Sequence, residues 1–389
     1  TKKISEFSPI ERKVKCYVHI INNDLKNLLK KHIIFTNQFD IFDLIFFNTY
    51  ENTARLLFRY YPVDELAVIN PTLEPVHIVI IGLGQTGQNV LLQAIKICHY
   101  TARISLSITV IDENAKNIVK TILHEYPNIP NLVNFNYEEI DVLTSDLIEA
   151  RFWQIKPPIT LFIVSLNSDV SSLTVALSLL AKSKSKRIPV LVRMRENTGL
   201  AALLEEPDFT KENPIYPFGM MKKIISRDII INESMDSLAI ALNNEYLKDR
   251  ISKGENKKTN PSLAMWSSLS EELKESNRQE ADHIDVKLRC IDCHVKKVVG
   301  RDIKIFEYSE EEIEELSHLE HKRWQTERLL NGWKYGEIRD SDKKTNPNLI
   351  SWEQLPEHVK EYNRETVRKI PIILAKYNLE IQRNISSTN

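Results

Sequence analysis

The central part of the chain alternates two hydrophobic periods. Short apolar runs, His77–Ile81, Ser105–Ile111, Val133–Tyr137, Thr160–Ser165 and Pro189–Met194, read as strands, and the first is as uninterrupted as a strand buried on both faces. Between them, Asn89–Ile97, Ile118–His124 and the stretch around Ser172–Ala181 carry apolar residues at helical spacing. Strands separated by helices predict an α/β fold with a parallel, doubly wound sheet, right-handed crossovers and a ligand crevice at the carboxyl ends of the strands. Further on, the pattern becomes helical, over Ser237–Leu247, Glu311–Asn331 and from about Pro356 to Ala375. A mainly α-helical tail is expected there.

The join between the first strand and first helix carries the chemistry, in Gly82-Leu83-Gly84-Gln85-Thr86-Gly87. The first glycine permits a tight turn, the second lets backbone approach a pyrophosphate, and the third lets helix pack on strand. The phosphates then rest on the helix N-terminus, at Gln85 and Thr86. Asp112 ends the second strand, where a carboxylate binds a ribose diol, and Asp141 follows the third, toward the adenine side of the cleft. Arg193 and Arg195, at the end of the fifth strand, suit a phosphate, although strand-end arginines also serve as solvated ion-pair partners. Together these residues spell a Rossmann fingerprint, with NAD or another adenine nucleotide as the expected cofactor; a tightly packed turn that binds nothing is the competing reading. The order of motifs over about residues 76–247 resembles the regulator-of-K+-conductance (RCK) N-terminal domain family, nucleotide-binding gating domains of ion channels and transporters. The resemblance implies a regulatory nucleotide.

Residues 12–61 echo the second half of that unit as a partial Rossmann-like segment. Lys15–Ile20 matches the strand Pro189–Met194, Asp24–Lys30 the helix Gly199–Glu205, Gln38–Phe42 the stretch Ile215–Gly219, and Thr53–Tyr61 the helix that starts at Ser237. The segment has no phosphate loop and must bury its elements against the central unit. In bacterial proteins of the RCK resemblance a membrane channel segment often precedes the nucleotide domain. With Thr1 in place of a methionine, which simple methionine removal would also explain, the expectation is the cytosolic portion of a longer membrane protein.

In the tail, Lys257-Lys-Thr-Asn-Pro261 recurs as Lys343-Lys-Thr-Asn-Pro347, and the 86-residue offset then holds for Leu263 and Leu349, Trp266 and Trp352, Leu269 and Leu355, and Asn277-Arg278 and Asn363-Arg364. Fixed spacing of this kind marks two copies of one supersecondary unit. Only the second copy carries the aromatic loop Gly332-Trp333-Lys334-Tyr335-Gly336, and Asn244 stands where it has His321. The residues Glu320-His321-Lys-Arg323-Trp324, the aromatic loop, Lys344–Pro347, Trp352, Leu355-Pro356 and Asn363-Arg364 resemble the ryanodine-receptor (RyR) domain over about residues 234–380. Such paired repeats hold an adenine nucleotide in ryanodine receptors, so the resemblance implies a ligand cleft between the copies. Trp324, Trp333, Tyr335 and Trp352 suit purine stacking, worth about 1–3 kcal/mol per base. Arg323, Lys334, Lys344 and Arg364 suit phosphates. Trp352 and Trp266, matched in both copies, equally suit a packed core, and His321 equally suits a satisfied helix histidine.

Three units are therefore expected: residues 1–70, 76–235, and 236–385 with copies at about 236–300 and 305–385. In the 389-residue chain, 52 Lys and Arg balance 53 Asp and Glu, so no net field draws the molecule to nucleic acid. Four scattered cysteines point to a reducing cytoplasmic setting, and no run reaches the roughly 18 apolar residues of a membrane span. Cys290-Ile-Asp-Cys293-His294 spells a haem-attachment pattern but belongs to the wrong compartment, and a zinc site there lacks a second ligand pair. No serine-elbow, kinase or paired-carboxylate signature occurs. The expected function is a homo-oligomeric nucleotide sensor: the RyR-type pair detects a nucleotide messenger and the Rossmann unit couples it to an effector, expected to be a membrane channel, in signalling or antiviral defence. The alternative is an NAD-dependent oxidoreductase.

Overall fold

Four apolar β-branched runs, the alternating edge strand Asn134–Glu139 and a sixth strand, Ile215–Phe218, hydrogen-bond side by side in one parallel sheet, because apolar runs flanked by helices must be covered on both faces. The computed structural model describes residues 14–21, 25, 29, 42–101, 104–183, 186–196, 199–206, 213–231, 233–256, 260 and 262–384. The strands are β3 (His77–Ile81), β4 (Ser107–Asp112), β5 (Asn134–Glu139), β6 (Leu161–Val164), β7 (Val190–Arg193) and β8 (Ile215–Phe218). Their order is β5-β4-β3-β6-β7-β8, every neighbouring pair parallel. The chain enters at the middle, steps outward to β5, returns to β6 and steps outward on the other side, so the direction of winding switches between β3 and β6. This is the Rossmann-like arrangement, with α3 (Gln85–Ile97), α4 (Ala115–Glu125) and α5 (Asp169–Ser183) among its covering helices.

Near the N-terminus, β1 (Val14–His19) pairs in parallel with β2 (Phe42–Phe47) as a separate two-stranded sheet. The second strand thus begins where the expected Gln38–Phe42 run ends, following the apolar stretch Phe42–Phe47; the residues 38–41 and most of the expected helix Asp24–Lys30 lie outside the described residues. Next come α1 (Thr49–Tyr60) and the short α2 (Val63–Ala67). The Asn48 side chain caps α1 by accepting from the Tyr50 and Glu51 amides. Ala54, Leu57 and Phe58 of α1 join one buried cluster with Val90, Leu91, Ala94 and Ile95 of α3.

The tail contains α6 (Ser237–Ser252), α7 (Glu271–Asp282), α8 (Ile284–Cys290), β9 (Cys293–Lys297), α9 (Glu310–Leu330), the two-residue strands β10 (Lys334–Tyr335) and β11 (Thr345–Asn346), α10 (Glu357–Ala375) and β12 (Leu379–Arg383). The 86-residue offset reappears in its elements: the 3-10 turns Trp266–Ser268 and Trp352–Gln354, the starts of α7 and α10, and β9 and β12. Even the left-handed residues Asp292 (φ 52°) and Asn378 (φ 59°) correspond. The strands pair antiparallel with Val295 opposite Ile381, themselves 86 residues apart, so a local two-fold axis passes through that pair. The helical pattern does not predict these strands; Cys293-His-Val-Lys-Lys and Leu379-Glu-Ile-Gln-Arg are too short and too polar to stand out in it.

Upstream the offset is 78. Helices α6 and α9 end at Ser252 and Leu330, followed by Gly254 and Gly332 with φ of 82° and 78°. The second copy therefore has eight extra residues in its aromatic loop. This register corrects the expected pairing of Asn244 with His321: Asn243 Nδ2 donates to the Ala264 carbonyl at 3.1 Å, just as His321 Nε2 donates to that of Ile350 at 2.9 Å.

Tail and sheet unit meet through buried charge. Arg55 of α1, 6% exposed, donates to Asp282 at 2.7 Å and to Asp236 at 2.8 Å. Asp236 also accepts from Arg278 at 2.7 Å, Lys96 of α3 reaches Glu275 at 2.8 Å, and Arg289 reaches Asp64 at 2.7 Å. Burial pushes the Glu275 carboxyl up, but Lys96 and Arg278 outweigh it and hold the group down at about 2. Burial lowers His99 to about 4 with help from Lys322, and His99 offers its carbonyl to His283 Nε2 at 3.1 Å. Among the described residues no helix is long and apolar enough to cross a membrane.

Arg55→Ala leaves the buried Asp236 and the partly buried Asp282 short of a partner, and denaturant titration is expected to show a loss of about 3–5 kcal/mol. Stability is expected to fall in two stages on acidification. The unfolded state takes up a proton at His99 as pH drops from 6.5 toward about 4, and at Glu275 as it drops from 4.5 toward about 2. Urea midpoints against pH check both.

Candidate functional site

The glycine loop lies at the carboxyl end of β3, beside the switch point. Gly82 has φ 92°, and a Cβ there would sit 2.8 Å from the Ser165 carbonyl oxygen. At Gly87 a Cβ would come within 1.9 Å of the Gly82 carbonyl oxygen, so only glycine lets α3 pack onto the turn. Gly84 differs: it is the N-cap of α3, no side chain caps the helix there, and a Cβ would meet only Asn167 Oδ1 at 3.8 Å. The space beside Gly84, at the first turn of α3, is therefore open. Gln85 is exposed and Thr86 is buried.

Asp112 stands beside this loop, accepting from the Leu83 amide at 2.7 Å and from Asn114 at 3.0 Å. Each carboxylate oxygen keeps a second lone pair. Asp141 is exposed in a turn past β5, accepting from the Leu143 amide at 3.0 Å. Across the switch point, Arg193 donates to the Leu166 carbonyl at 3.2 Å. Burial and then Arg195 lower its pKa, partly opposed by Tyr50 and Asp169. Sequence reasoning missed two neighbours of the loop and one residue farther along the crevice. Ser165, whose buried hydroxyl has no hydrogen-bond partner, and Asn167 follow β6, where the strand order alone would place the facing wall. Thr53 of α1 packs within reach of Gly219, bringing the N-terminal segment to the far end of the crevice, which no local pattern signals.

The tail residues fall into separate places. Trp352 is 7% exposed, stacked on His318 at 5.3 Å, with its indole N–H on Glu314 at 3.3 Å. His321 is buried between the Trp324 ring at 5.7 Å and the Trp352 ring at 5.9 Å. Arg364 is held by Glu314, Glu357 and Glu361. Arg323 is buried on Glu320, which also accepts Lys287. Trp333, 5% exposed, lies under Arg328 and donates to Glu272 at 3.1 Å, bridging the end of α9 to α7. Lys334, Tyr335 and Lys344 remain exposed on the loop, with Lys344 Nζ on the Asn331 carbonyl at 2.8 Å. The cysteines are internal: Cys290 donates to the Tyr100 carbonyl and Cys293 to that of Ile291, and no metal-ligating group of three occurs among the described residues.

Sheet order and loop geometry define an α/β protein of the Rossmann-like class with a fused, largely helical tail. Within that tail, residues 300–383 match the family model of the RyR domain, a span that covers α9, the aromatic loop, α10 and β12.

The three glycines predict distinct outcomes. Gly87→Ala forces a backbone overlap and is expected to cost about 3 kcal/mol or more, whereas Gly84→Ala is expected to change stability by no more than about 0.5 kcal/mol. Thermal melts of the two variants check this.

Proposed function

We propose that this chain is a regulatory nucleotide-binding protein in which the crevice beside Gly84 takes the pyrophosphate of NAD or another adenine nucleotide and the tail carries the response. The observation behind the reading is Gly84 itself: a helix N-terminus with no side-chain cap, reached through open space and flanked by glycines whose side chains would clash elsewhere. Asp112, beside the loop with a lone pair free on each carboxylate oxygen, supports the reading, since it would accept from a ribose diol. Helix α3 then runs from the phosphate site to Lys96 and its ion pair with Glu275, which supports transmission from ligand to tail. The coupling is the difference in affinity between two arrangements of that contact.

The RyR match covers one copy, and the shared element spacing supports treating the first copy as a divergent second unit. A messenger bound by the tail would meet the exposed Lys334, Tyr335 and Lys344, while Trp333, buried between Arg328 and Glu272, anchors that loop from inside. An ion channel is the effector suggested by the RCK resemblance.

Calorimetry against NAD, ATP, ADP-ribose and cyclic nucleotides tests the proposal. Binding of an adenine nucleotide, weakened roughly tenfold or more in Gly84→Ala at unchanged melting temperature, is expected. Absence of binding to all of them refutes it, and conversion of NAD during the titration favours the oxidoreductase alternative.

A further inference from the structure

The N-terminal segment, the sheet unit and the tail meet around a cavity of about 70 Å³, lined by Phe58 and Arg59 of α1, Ile97 of α3, Leu238 of α6, and Asp285 and Val286 of α8. Arg55, Asp282 and Arg289 also reach its wall, but their charges are committed: Arg55 to Asp236 and Asp282, and Arg289 to Asp64. Two others are not. Among the described residues neither Arg59 nor Asp285 has a hydrogen bond or an ion pair, although both line this cavity. The protein packed around the Asp285 carboxyl, with Asp282 adding, pushes its pKa up, and Arg289 and Arg59 offset this only in part.

The chemistry and size of the cavity identify what fits it. Its floor is apolar, with Phe58, Ile97 and Val286 buried in the wall. A simple anion would satisfy Arg59 and leave Asp285 unmatched, and an amine alone would do the reverse. A guanidinium, a carboxylate and an apolar floor together match a molecule that carries a carboxylate, an ammonium and a short hydrocarbon body. At roughly 10–15 Å³ per water, the cavity accommodates about five to seven atoms of that size, the scale of alanine to valine. A nucleotide is far too large for it.

We propose that this cavity is a binding site for a small apolar α-amino acid, whose carboxylate pairs with Arg59 and whose ammonium pairs with Asp285. The site is separate from the crevice at Gly84 and does not depend on what binds there. Because its walls come from all three units and include Arg55, occupancy stabilises the joint that Arg55 makes.

Calorimetry of the full chain with L-alanine, L-valine, isovalerate and isobutylamine tests this, the last two being valine without its ammonium and without its carboxylate. At least one of the amino acids is expected to bind saturably and to raise the melting temperature, and both analogues to bind about tenfold more weakly or worse. Arg59→Gln and Asp285→Asn, at exposed and unpaired positions, are expected to keep the wild-type circular dichroism and nucleotide heats while losing about tenfold or more in amino-acid affinity. No saturable binding of either amino acid to the wild type, equal binding of an analogue, or binding that survives both substitutions overturns the proposal. A wild type that binds an amino acid but no nucleotide supports this site while refuting the function proposed for the crevice.

Discussion

Arg55 holds the molecule together. Its guanidinium is buried and satisfied by two aspartates from the tail, 2.7 and 2.8 Å away, while its own helix lies on the helix that follows the glycine loop. A buried guanidinium stays charged, so the carboxylates must come to it and stay. Asp236 is shared with Arg278, and burial, which would raise its pKa, is outweighed by the two arginines. The N-terminal segment, the sheet unit and the tail are therefore fixed to one another by charge as well as by apolar packing, and α3 is gripped at one end while its other end faces the crevice.

The tail shows how one sequence unit serves two roles. Its copies share a 3-10 turn, a following helix and a strand, and share the bracing of that helix: Arg278 pairs with Glu271 and lies over Trp266, and Arg364 pairs with Glu357. They diverge at the surface. Asp282 in the first copy accepts an arginine from another unit, and Arg368 in the second pairs with Glu361 of its own helix at 2.6 Å. That single reversal makes one face a joint and leaves the other independent of the Rossmann-like unit.

Much of this is legible in the sequence, and for a physical reason. Parallel strands buried on both faces must be apolar throughout, so β3, β4 and β6 stand out from their neighbours, and glycines required by sterics mark their own turn. The constant offset between Trp266 and Trp352 marks the repeat through residue identities alone. What stays hidden depends on contacts between distant positions. Nothing local distinguishes Arg55 from a surface arginine, since its partner Asp282 is 227 residues away. Trp333 beside glycines reads as a loop aromatic, yet Glu272, 61 residues earlier, receives its indole. The helix ends at Ser252 and Leu330, each followed by a left-handed glycine, fix the upstream offset at 78, whereas pairing by residue identity places the histidine's counterpart one residue away.

The central claim is that the crevice and the tail act as one body through α3. Hydrogen–deuterium exchange with and without saturating adenine nucleotide measures it directly. The account predicts slowed exchange at the loop and first turn of α3 and also in α7 and α8, around Glu275 and His283, even though these tail helices do not touch the ligand. Slowed exchange confined to the loop would contradict it.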